Sequence, residues 1–345
     1  MRVIRLVFIL ALCWSFISCI NGYNVVTRDP STASQPAPSI NANSEISILI
    51  WNIGYAGLGA NTDFITDGGK KIISSSKKQV KKNLKSIKTF LRGYPAEIIL
   101  IQEMALPSNV NRFVNIYEEI TNIFPSYWSS YSPKVDIVFG PVTVNVGGSI
   151  LTRFEPISVE RMELPLEEKG VTRVKQKHHL LIARFYISGL SSELVLVNVH
   201  LSAFDENAAI RYKQLKALNK FIRKEYDTGN YVICGGDWNL VLDGAMFPYT
   251  TEEKYLFWVY NLPPWFPPAG WKKAADPSAP TVRSLERPYI KNENYTTIID
   301  GFVMSPNVEL IGVKTINREF SSSDHNPVQV KIKLTHPENN IPIDR

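Results

Sequence analysis

The sequence predicts an α/β protein with one large globular domain, in which helices pack on β-sheets. Three observations favour this fold class. β-rich apolar runs recur from residue 46 onward, two longer segments have helical periodicity, and no internal repeat or shift of composition divides the chain. The 345 residues, 44% of them hydrophobic and 20% charged, are enough to bury a full core, which excludes a disordered regulator and a small secreted mini-protein.

The predicted strands are runs of mostly Ile, Val and Leu, bounded by Gly, Pro, Asn or Asp. Such runs are typical of strands that are buried on at least one face. In chain order they cover residues 46–52, 97–103, 144–152, 180–187, 194–201, 231–239, 296–305, 308–316 and 328–334.

Two helices separate these strands. The first, residues 76–92, has one apolar stripe at helical spacing, formed by Val80, Leu84, Ile87 and Leu91. The second, residues 206–226, has a similar stripe and stops near Gly229.

The net charge of +6, from 38 basic and 32 acidic residues, favours anionic partners and is unevenly distributed. Residues 70–92 contain nine Lys and Arg residues and no acidic residue, and most of the nine lie on one flank of the first helix. A solvated helix face is one explanation. Attraction to anionic lipid or to a nucleic-acid backbone is the other.

The N-terminus has the pattern of an export signal. Arg2 and Arg5 precede an apolar run, residues 6–17, that is too short to span a bilayer, so residues 1–18 are predicted to be a cleaved signal peptide. The residues before Cys19 resemble a relaxed lipobox, which predicts that Cys19 is acylated. The protein would then be a membrane-anchored lipoprotein of the bacterial cell envelope; with an ordinary signal peptide it would be secreted or periplasmic.

The remaining chain divides by composition. Residues 19–45, rich in Ser, Pro, Asn and Thr, read as a flexible tether, residues 46–336 as the globular domain and residues 337–345 as a polar tail. The three cysteines are too few for a disulfide framework or a Cys-based zinc site. Any chemistry must therefore use other groups.

Chemically useful side chains cluster at the predicted strand ends: Asn52, Glu103, His200, Asp237, Asn239, Asp300, Asp324 and His325. Singly, each has an ordinary explanation, since strand-end Asn and Asp often form turns and a lone His is often just hydrogen-bonded. Together, carboxylates, amides and histidines without a cysteine ligand make an oxygen-rich site suited to Mg²⁺ or Mn²⁺. Such a metal pairs with phosphate.

Six ordered motifs resemble those of the endonuclease/exonuclease/phosphatase superfamily. They are Trp-Asn-Ile (51–53), Ile-Gln-Glu (101–103), Asn-Val-His-Leu (198–201), Gly-Gly-Asp-Trp-Asn (235–239), Ile-Asp-Gly-Phe (299–302) and Ser-Asp-His-Asn-Pro-Val (323–328). The resemblance spans about residues 46–334. It implies a four-layer sandwich of two mainly antiparallel β-sheets flanked by helices, with the active site where strand ends and loops converge.

The resemblance also implies metal and water-activating roles. Glu103 matches the main Mg²⁺ ligand, with Asn52 beside it, and Asp324 matches a further metal or water contact. Asp237, oriented by Asn239, matches the residue that activates the attacking water.

The remaining matches concern the phosphate and the leaving group. His325 matches the histidine that contacts the scissile phosphate, and Asp300 matches its carboxylate partner. His200 matches the second histidine of the deoxyribonuclease and sphingomyelinase branches, a candidate general acid for the leaving oxygen.

Substrate-selecting residues are less clearly marked. Arg173 and Arg283 are candidate phosphate-binding residues, and pairing with a local carboxylate is the alternative for each. A long insertion, residues 246–297, contains several Trp and Phe residues. Packing beneath the loop is one explanation for these aromatic side chains, and contact with lipid or with a nucleic-acid base is the other.

These observations predict an exported, Mg²⁺-dependent hydrolase of phosphate esters, acting as a monomer. Nucleic acid, phospholipid and sugar phosphate all remain open as substrates, because the residues shared by the family contact only the phosphate. The sequence therefore does not distinguish a nuclease from a sphingomyelinase-like lipid phosphodiesterase. A catalytically silent surface-binding protein on the same fold is the alternative function.

Overall fold

Two seven-stranded β-sheets pack face to face, with helices on both outer faces, in this computed structural model. The structure describes residues 26–28, 37–71, 76–139, 142–166 and 178–335. The predicted four-layer α/β sandwich with a single domain is confirmed. Each sheet is mixed, although most of its neighbouring strands are antiparallel.

Sheet A forms one half of the sandwich. Its strands, numbered along the chain and given in spatial order, are β1 (Val26–Arg28), β5 (Trp128–Phe139), β6 (Val142–Thr152), β4 (Ile98–Ala105), β3 (Glu45–Asn52), β16 (Val328–Leu334) and β15 (Val308–Thr315). β3 and β4 are parallel, and the other neighbouring pairs are antiparallel.

Sheet B forms the other half. Its spatial order is β11 (Lys272–Ala274), β14 (Asp300–Met304), β10 (Tyr231–Asp237), β9 (Glu193–His200), β8 (His179–Ser188) and β2 (Ile40–Asn41), and β7 (Ser158–Glu163) also pairs with β8. β9 and β10 are parallel, as are β2 and β8. A small separate sheet joins β12 (Val282–Arg283) to β13 (Thr296–Thr297).

Three α-helices cover the sheets: α1 (Lys77–Gly93), α2 (Ile116–Thr121) and α3 (Ala209–Asp227). The apolar stripe of α1 packs on sheet A together with α2, while α3 packs on sheet B. Short 3₁₀ turns cover Gly54–Ala56, Ile65–Asp67, Glu206–Ala208 and Glu253–Tyr255. Within the described ranges, no helix is long and apolar enough to cross a membrane.

The core between the sheets is built from the inward faces of the central strands. Ile48, Leu196 and Ile233 are fully buried there, in contact with other Ile, Leu, Val and Phe side chains. β3, β4 and β10 are buried on both faces. This explains why these strands are continuous apolar runs in the sequence and were straightforward to predict.

The structure differs from the sequence prediction in several places. The predicted strand 296–305 is interrupted, because the carbonyls of Ile298 and Ile299 accept hydrogen bonds from Leu242 and Trp238 instead of continuing one sheet ladder. β5 and β7 were missed, since their Ser, Lys, Arg and Glu residues hide the apolar pattern. Two stretches of the predicted tether, β1 and β2, are edge strands.

The inter-sheet core can be tested by truncation. Replacing fully buried Ile233 with Ala leaves a cavity and removes apolar contacts, so we expect a loss of about 2–5 kcal/mol in the free energy of unfolding, measured by urea denaturation. The matched control is Ile311→Ala, since Ile311 is 43% exposed, and its cost should stay within about 0.5 kcal/mol. Equal costs for the two variants would contradict this description of the core.

Candidate active site

The strand ends of the two sheets open at the same edge of the sandwich. β3 and β4 end there in sheet A, and β9 and β10 end there in sheet B. In sheet B, Asp237 is paired in register with His200 on one side and with Asp300, at the start of antiparallel β14, on the other. The packing of the sheets therefore brings together side chains that are far apart in the sequence.

A buried amide pair joins the sheets just beneath this edge. Gln102 Nε2 donates to Asn198 Oδ1 at 2.7 Å, and Asn198 Nδ2 donates to the carbonyls of Ile101 and Ser149 at 3.1 and 2.9 Å. Gln102 and Asn198 lie within two of the sequence motifs. Because buried amides need partners, these bonds fix the relative position of the two strand ends.

Glu103 enters the site from a β-bulge. The pairing of β4 with β6 shifts register between Ile101 and Met104, and Glu103 has a left-handed backbone with φ +54°. A bulge of this kind redirects a side chain and is common beside active sites. Burial, followed by the negative charges of Asp324 and Asp237, raises the pKa of Glu103 to about 7.

Asp237 is the centre of the site. Its Oδ2 accepts a hydrogen bond from Asn52 Nδ2 at 3.0 Å and lies 3.6 Å from His200 Nε2 and 3.8 Å from His325 Nε2. Asn52 also approaches Glu103, with 3.4 Å between Nδ2 and Oε1. Asn52 thus faces both carboxylates as a donor, and its Oδ1 accepts from a main-chain N–H. The Asn52 side chain therefore links Glu103, the predicted metal ligand, to Asp237, the predicted water-activating residue.

Asn239 orients Asp237 through its main chain. The Asn239 N–H donates to Asp237 Oδ1 at 2.9 Å, while its side-chain Nδ2 donates to the carbonyl of Leu201 at 3.2 Å. Its left-handed φ of +50° makes this turn. Fully buried Arg211 holds the turn from below, since its Nη1 donates to the Asn239 carbonyl and its Nε pairs with Asp205. No sequence motif marks Arg211 as part of the site.

His325 forms a buried pair with Asp300, with 2.9 Å between Nδ1 and Oδ2. Burial alone would lower the pKa of His325, but the charges of Asp300 and Asp237 outweigh it and raise this pKa well above the usual value. The ring is therefore an imidazolium whose orientation is fixed by Asp300, and its Nε2 faces Asp237.

His200 is in the opposite electrostatic state. Burial, followed by the positive charges of Lys134 and neighbouring histidines, lowers the pKa of His200 well below the usual value. The two histidines that approach Asp237 are thus separated into one charged and one neutral ring, a separation typical of acid and base partners. A phosphate anion beside His200 would favour its protonation, as the predicted general-acid role requires.

Asp324 lies beside the first motif. Ser323 Oγ donates to the carbonyl of Asn52 at 2.7 Å and approaches Asp324 Oδ1 at 3.3 Å. A Cβ atom on Gly54 would come within 2.9 Å of Asp324 Oδ1, and Gly54 has φ +49°. A glycine is therefore required here, and it leaves room for the carboxylate.

Arg283 does not have the predicted place. It is fully buried, and its guanidinium donates to main-chain carbonyls of Leu58, Gly59 and Thr62, as well as of Ser284 and Arg287. These bonds fasten the glycine-rich loop after β3, so the prediction of a phosphate contact is wrong for this structure. Arg173 and Cys19 lie outside the described residues.

The site chemistry fits a divalent cation. In the part of the chain that the structure describes, Glu103 Oε2 and Asp300 Oδ1 are buried without a hydrogen-bond partner. Asp237 and Asp300 bring two further carboxylates to the same place, since their oxygens and the His325 ring nitrogens lie within 4.8 Å of one another. Burial also raises the pKa of Asp324. Oxygen-rich groups that repel one another in this way are suited to Mg²⁺ or Mn²⁺; the ligands predicted from the sequence are Glu103, Asn52 and Asp324.

The sequence profile of the endonuclease/exonuclease/phosphatase family matches residues 49–325. The chain belongs to this family. Members are phosphoric ester hydrolases, typically dependent on a divalent metal. No curated protein sequence matches the chain.

Solved structures share its fold at low sequence identity. A family protein from Bacteroides vulgatus is 16% identical with a TM-score of 0.55, over 84% of this chain and 99% of that one. One from Beutenbergia cavernae is 16% identical with a TM-score of 0.54, over 84% and 72%. D. rerio TDP2, complexed with single-strand DNA product, is 17% identical with a TM-score of 0.53, over 84% and 99%. These likenesses establish the fold alone.

The ion pair of His325 can be tested by removing its carboxylate. In Asp300→Asn, burial is no longer opposed by the nearest negative charge, so we expect the pKa of His325 to fall, as measured by NMR titration of the imidazole nitrogens. His178 is an internal reference, because burial lowers its pKa to about 2 and it should stay neutral in both proteins. An unchanged His325 titration would contradict the assigned pair.

Proposed function

We propose that the protein is a Mg²⁺-dependent hydrolase of phosphate esters. The observation that carries this proposal is the grouping around Asp237, where an imidazolium, a neutral imidazole and an amide lie within 4 Å of one carboxylate oxygen. Phosphoryl transfer to water requires these functions: a proton acceptor, a cation for the phosphoryl oxygens and a proton donor for the leaving oxygen.

The side chains divide this work by position. Asp237 accepts the proton of the attacking water, because it is buried, oriented by the Asn239 N–H and close to both histidines. The His325 imidazolium binds a non-bridging oxygen of the phosphate, and Asp300 keeps its ring oriented. His200, protonated beside the bound phosphate anion, donates a proton to the leaving oxygen. When bound, the cation supplies charge neutralisation and polarisation of the phosphoryl group. Glu103 and Asp324 would hold it, and Asn52 would orient Glu103 and Asp237 through its Nδ2, because its Oδ1 accepts from the Gly54 N–H.

Two features support a polyanionic substrate. Lys77, Lys78, Lys81, Lys82 and Lys85 are exposed on α1. The N-terminal half of this helix adjoins the glycine-rich loop after β3, since Asn83 Nδ2 donates to the carbonyl of Ala56 at 2.9 Å. D. rerio TDP2, which has a similar fold, was solved with single-strand DNA product. Nucleic acid and anionic phospholipid are therefore the first substrates to test.

We also propose an exported protein, anchored in the membrane through acylated Cys19. The support is the sequence alone, namely the basic and apolar N-terminal segment and the lipobox-like residues before Cys19. Labelling with a radioactive fatty acid tests this proposal, with Cys19→Ser as the control. Incorporation that persists in the control would contradict it.

The hydrolase proposal is tested with purified protein, Mg²⁺ and a panel of plasmid DNA, single-stranded DNA, RNA, sphingomyelin, inositol phosphates and bis(p-nitrophenyl) phosphate. We expect turnover of at least one class. For that substrate, His325→Ala should lower kcat about 10²–10⁴-fold, because the cation for the phosphate is lost. The matched control is Tyr186→Ala, which truncates a side chain of β8 that is 73% exposed and should leave turnover unchanged.

Two outcomes would contradict the proposal. One is wild-type turnover in folded His325→Ala. The other is no hydrolysis of any substrate with Mg²⁺ or Mn²⁺, which would favour the silent binding protein on the same fold.

A further inference from the structure

Lys134 brings a cation to the site from a strand that contains none of the six sequence motifs. It belongs to β5 of sheet A, and its Nζ donates to the carbonyls of His200 at 3.3 Å and Leu201 at 3.1 Å. Both acceptors lie at the end of β9 in sheet B. The ammonium group therefore spans the two sheets at the position where His200 meets Asp237.

A second β-bulge aims this side chain. The pairing of β5 with β6 shifts register between Pro133 and Val135, so that Lys134 is the residue without a partner in the ladder. Glu103 enters from a bulge on the other side of β6. In sheet A, a β-bulge therefore directs both Glu103 and Lys134 into the site. The regular alternation of side chains along a strand would not predict either orientation.

Gly147 is required for the bulge at Lys134. A Cβ atom at Gly147 would lie 1.9 Å from the carbonyl oxygen of Ser132 and 2.6 Å from the Cα of Pro133. No side chain can replace it without moving β5. The Asn-Val-Gly-Gly segment (145–148), which none of the proposed catalytic roles uses, therefore has a structural purpose: it allows the close approach that directs Lys134.

The surroundings of Lys134 favour an anionic ligand. Burial lowers its pKa to about 8, and the nearby charges of Asp237 and Glu103 oppose that shift. If the two carbonyls were the only partners of Lys134, a neutral donor would satisfy them without the desolvation penalty of an ammonium group. An ammonium group has three N–H donors, and the carbonyls of His200 and Leu201 take two of them. One donor is left for the substrate.

We propose that Lys134 is a substrate-binding residue that donates to a phosphoryl oxygen on the His200 side of the cleft. This inference rests on the proposed hydrolase function and adds a contact that the family motifs do not contain. His325 and Lys134 then hold the phosphate from opposite sides of Asp237. The alternative is a purely structural clip, in which Lys134 only fastens the end of β9.

Three substitutions separate the two roles. Lys134→Gln keeps N–H donors for the carbonyls but has no charge, Lys134→Met has neither, and Lys134→Arg restores the charge. The matched control is Lys331→Met, which removes an exposed lysine from β16 of the same sheet. Each protein is assayed for the Kd of inorganic phosphate by calorimetry with Mg²⁺ present, for kcat/KM on bis(p-nitrophenyl) phosphate, and for Tm.

We expect Lys134→Gln and Lys134→Met to bind phosphate at least tenfold more weakly than wild type and to lose at least tenfold in kcat/KM. Lys134→Arg should recover most of both, and Lys331→Met should match wild type. We also expect Lys134→Gln to bind Mg²⁺ no more weakly than wild type, as read from the Mg²⁺-induced rise in Tm, because a cation near Asp237 and Glu103 has been removed.

Wild-type phosphate binding by Lys134→Gln would overturn the proposal and favour the purely structural role of Lys134. Loss of phosphate binding that Lys134→Arg fails to recover would overturn it as well, and so would a wild-type protein that binds no phosphate. Phosphate binding that depends on Lys134 in a protein that hydrolyses nothing would support this inference while contradicting the proposed hydrolase, so the two failures are distinguishable.

Discussion

Four strands, two from each sheet, end at one edge of the sandwich, and the site depends on this constraint. The parallel pairs place Asn52 of β3 beside Gln102 of β4, and His200 of β9 beside Asp237 of β10, and the Gln102–Asn198 amide pair fixes one sheet against the other. Side chains separated by more than a hundred residues then surround Asp237. A slip of one of these strands by a single residue within its sheet would turn its side chains to the opposite face.

The same constraint creates an electrostatic conflict. Carboxylates are forced together in a buried place, where the pKa of Glu103 rises to about 7, and part of the charge is balanced by the His325 imidazolium and the Lys134 ammonium. Buried charge of this kind is costly to folding, and it is usually retained for binding or catalysis. In the proposed function, a divalent cation would offset the carboxylates, and a phosphate anion would offset the His325 imidazolium and the Lys134 ammonium.

The sequence was sufficient for the elements whose pattern is local. β3 and β10 are continuous apolar runs that end in Asn52 and Asp237, and the apolar run of β4 leads directly to Glu103, so these strands and their site residues could be predicted together. Lys134, Arg211 and the true surroundings of Arg283 could not. Lys134 depends on a bulge permitted by Gly147 on the neighbouring strand, and both arginines bond to main-chain carbonyls that only the tertiary fold brings near. A side chain buried against distant carbonyls leaves no periodic signal.

We propose that the converging carboxylates form a divalent-cation site, and thermal unfolding at pH 7 with increasing Mg²⁺ shows whether they do. A cation that binds only the folded state raises Tm, by an amount equivalent to about 4 kcal/mol at a thousand times Kd. We expect this rise in the wild-type protein. In Glu103→Gln, where a neutral amide relieves the repulsion, we expect a higher Tm without Mg²⁺ and little further rise with it. A wild-type Tm that does not respond to Mg²⁺, or an equal response in Glu103→Gln, would contradict the account.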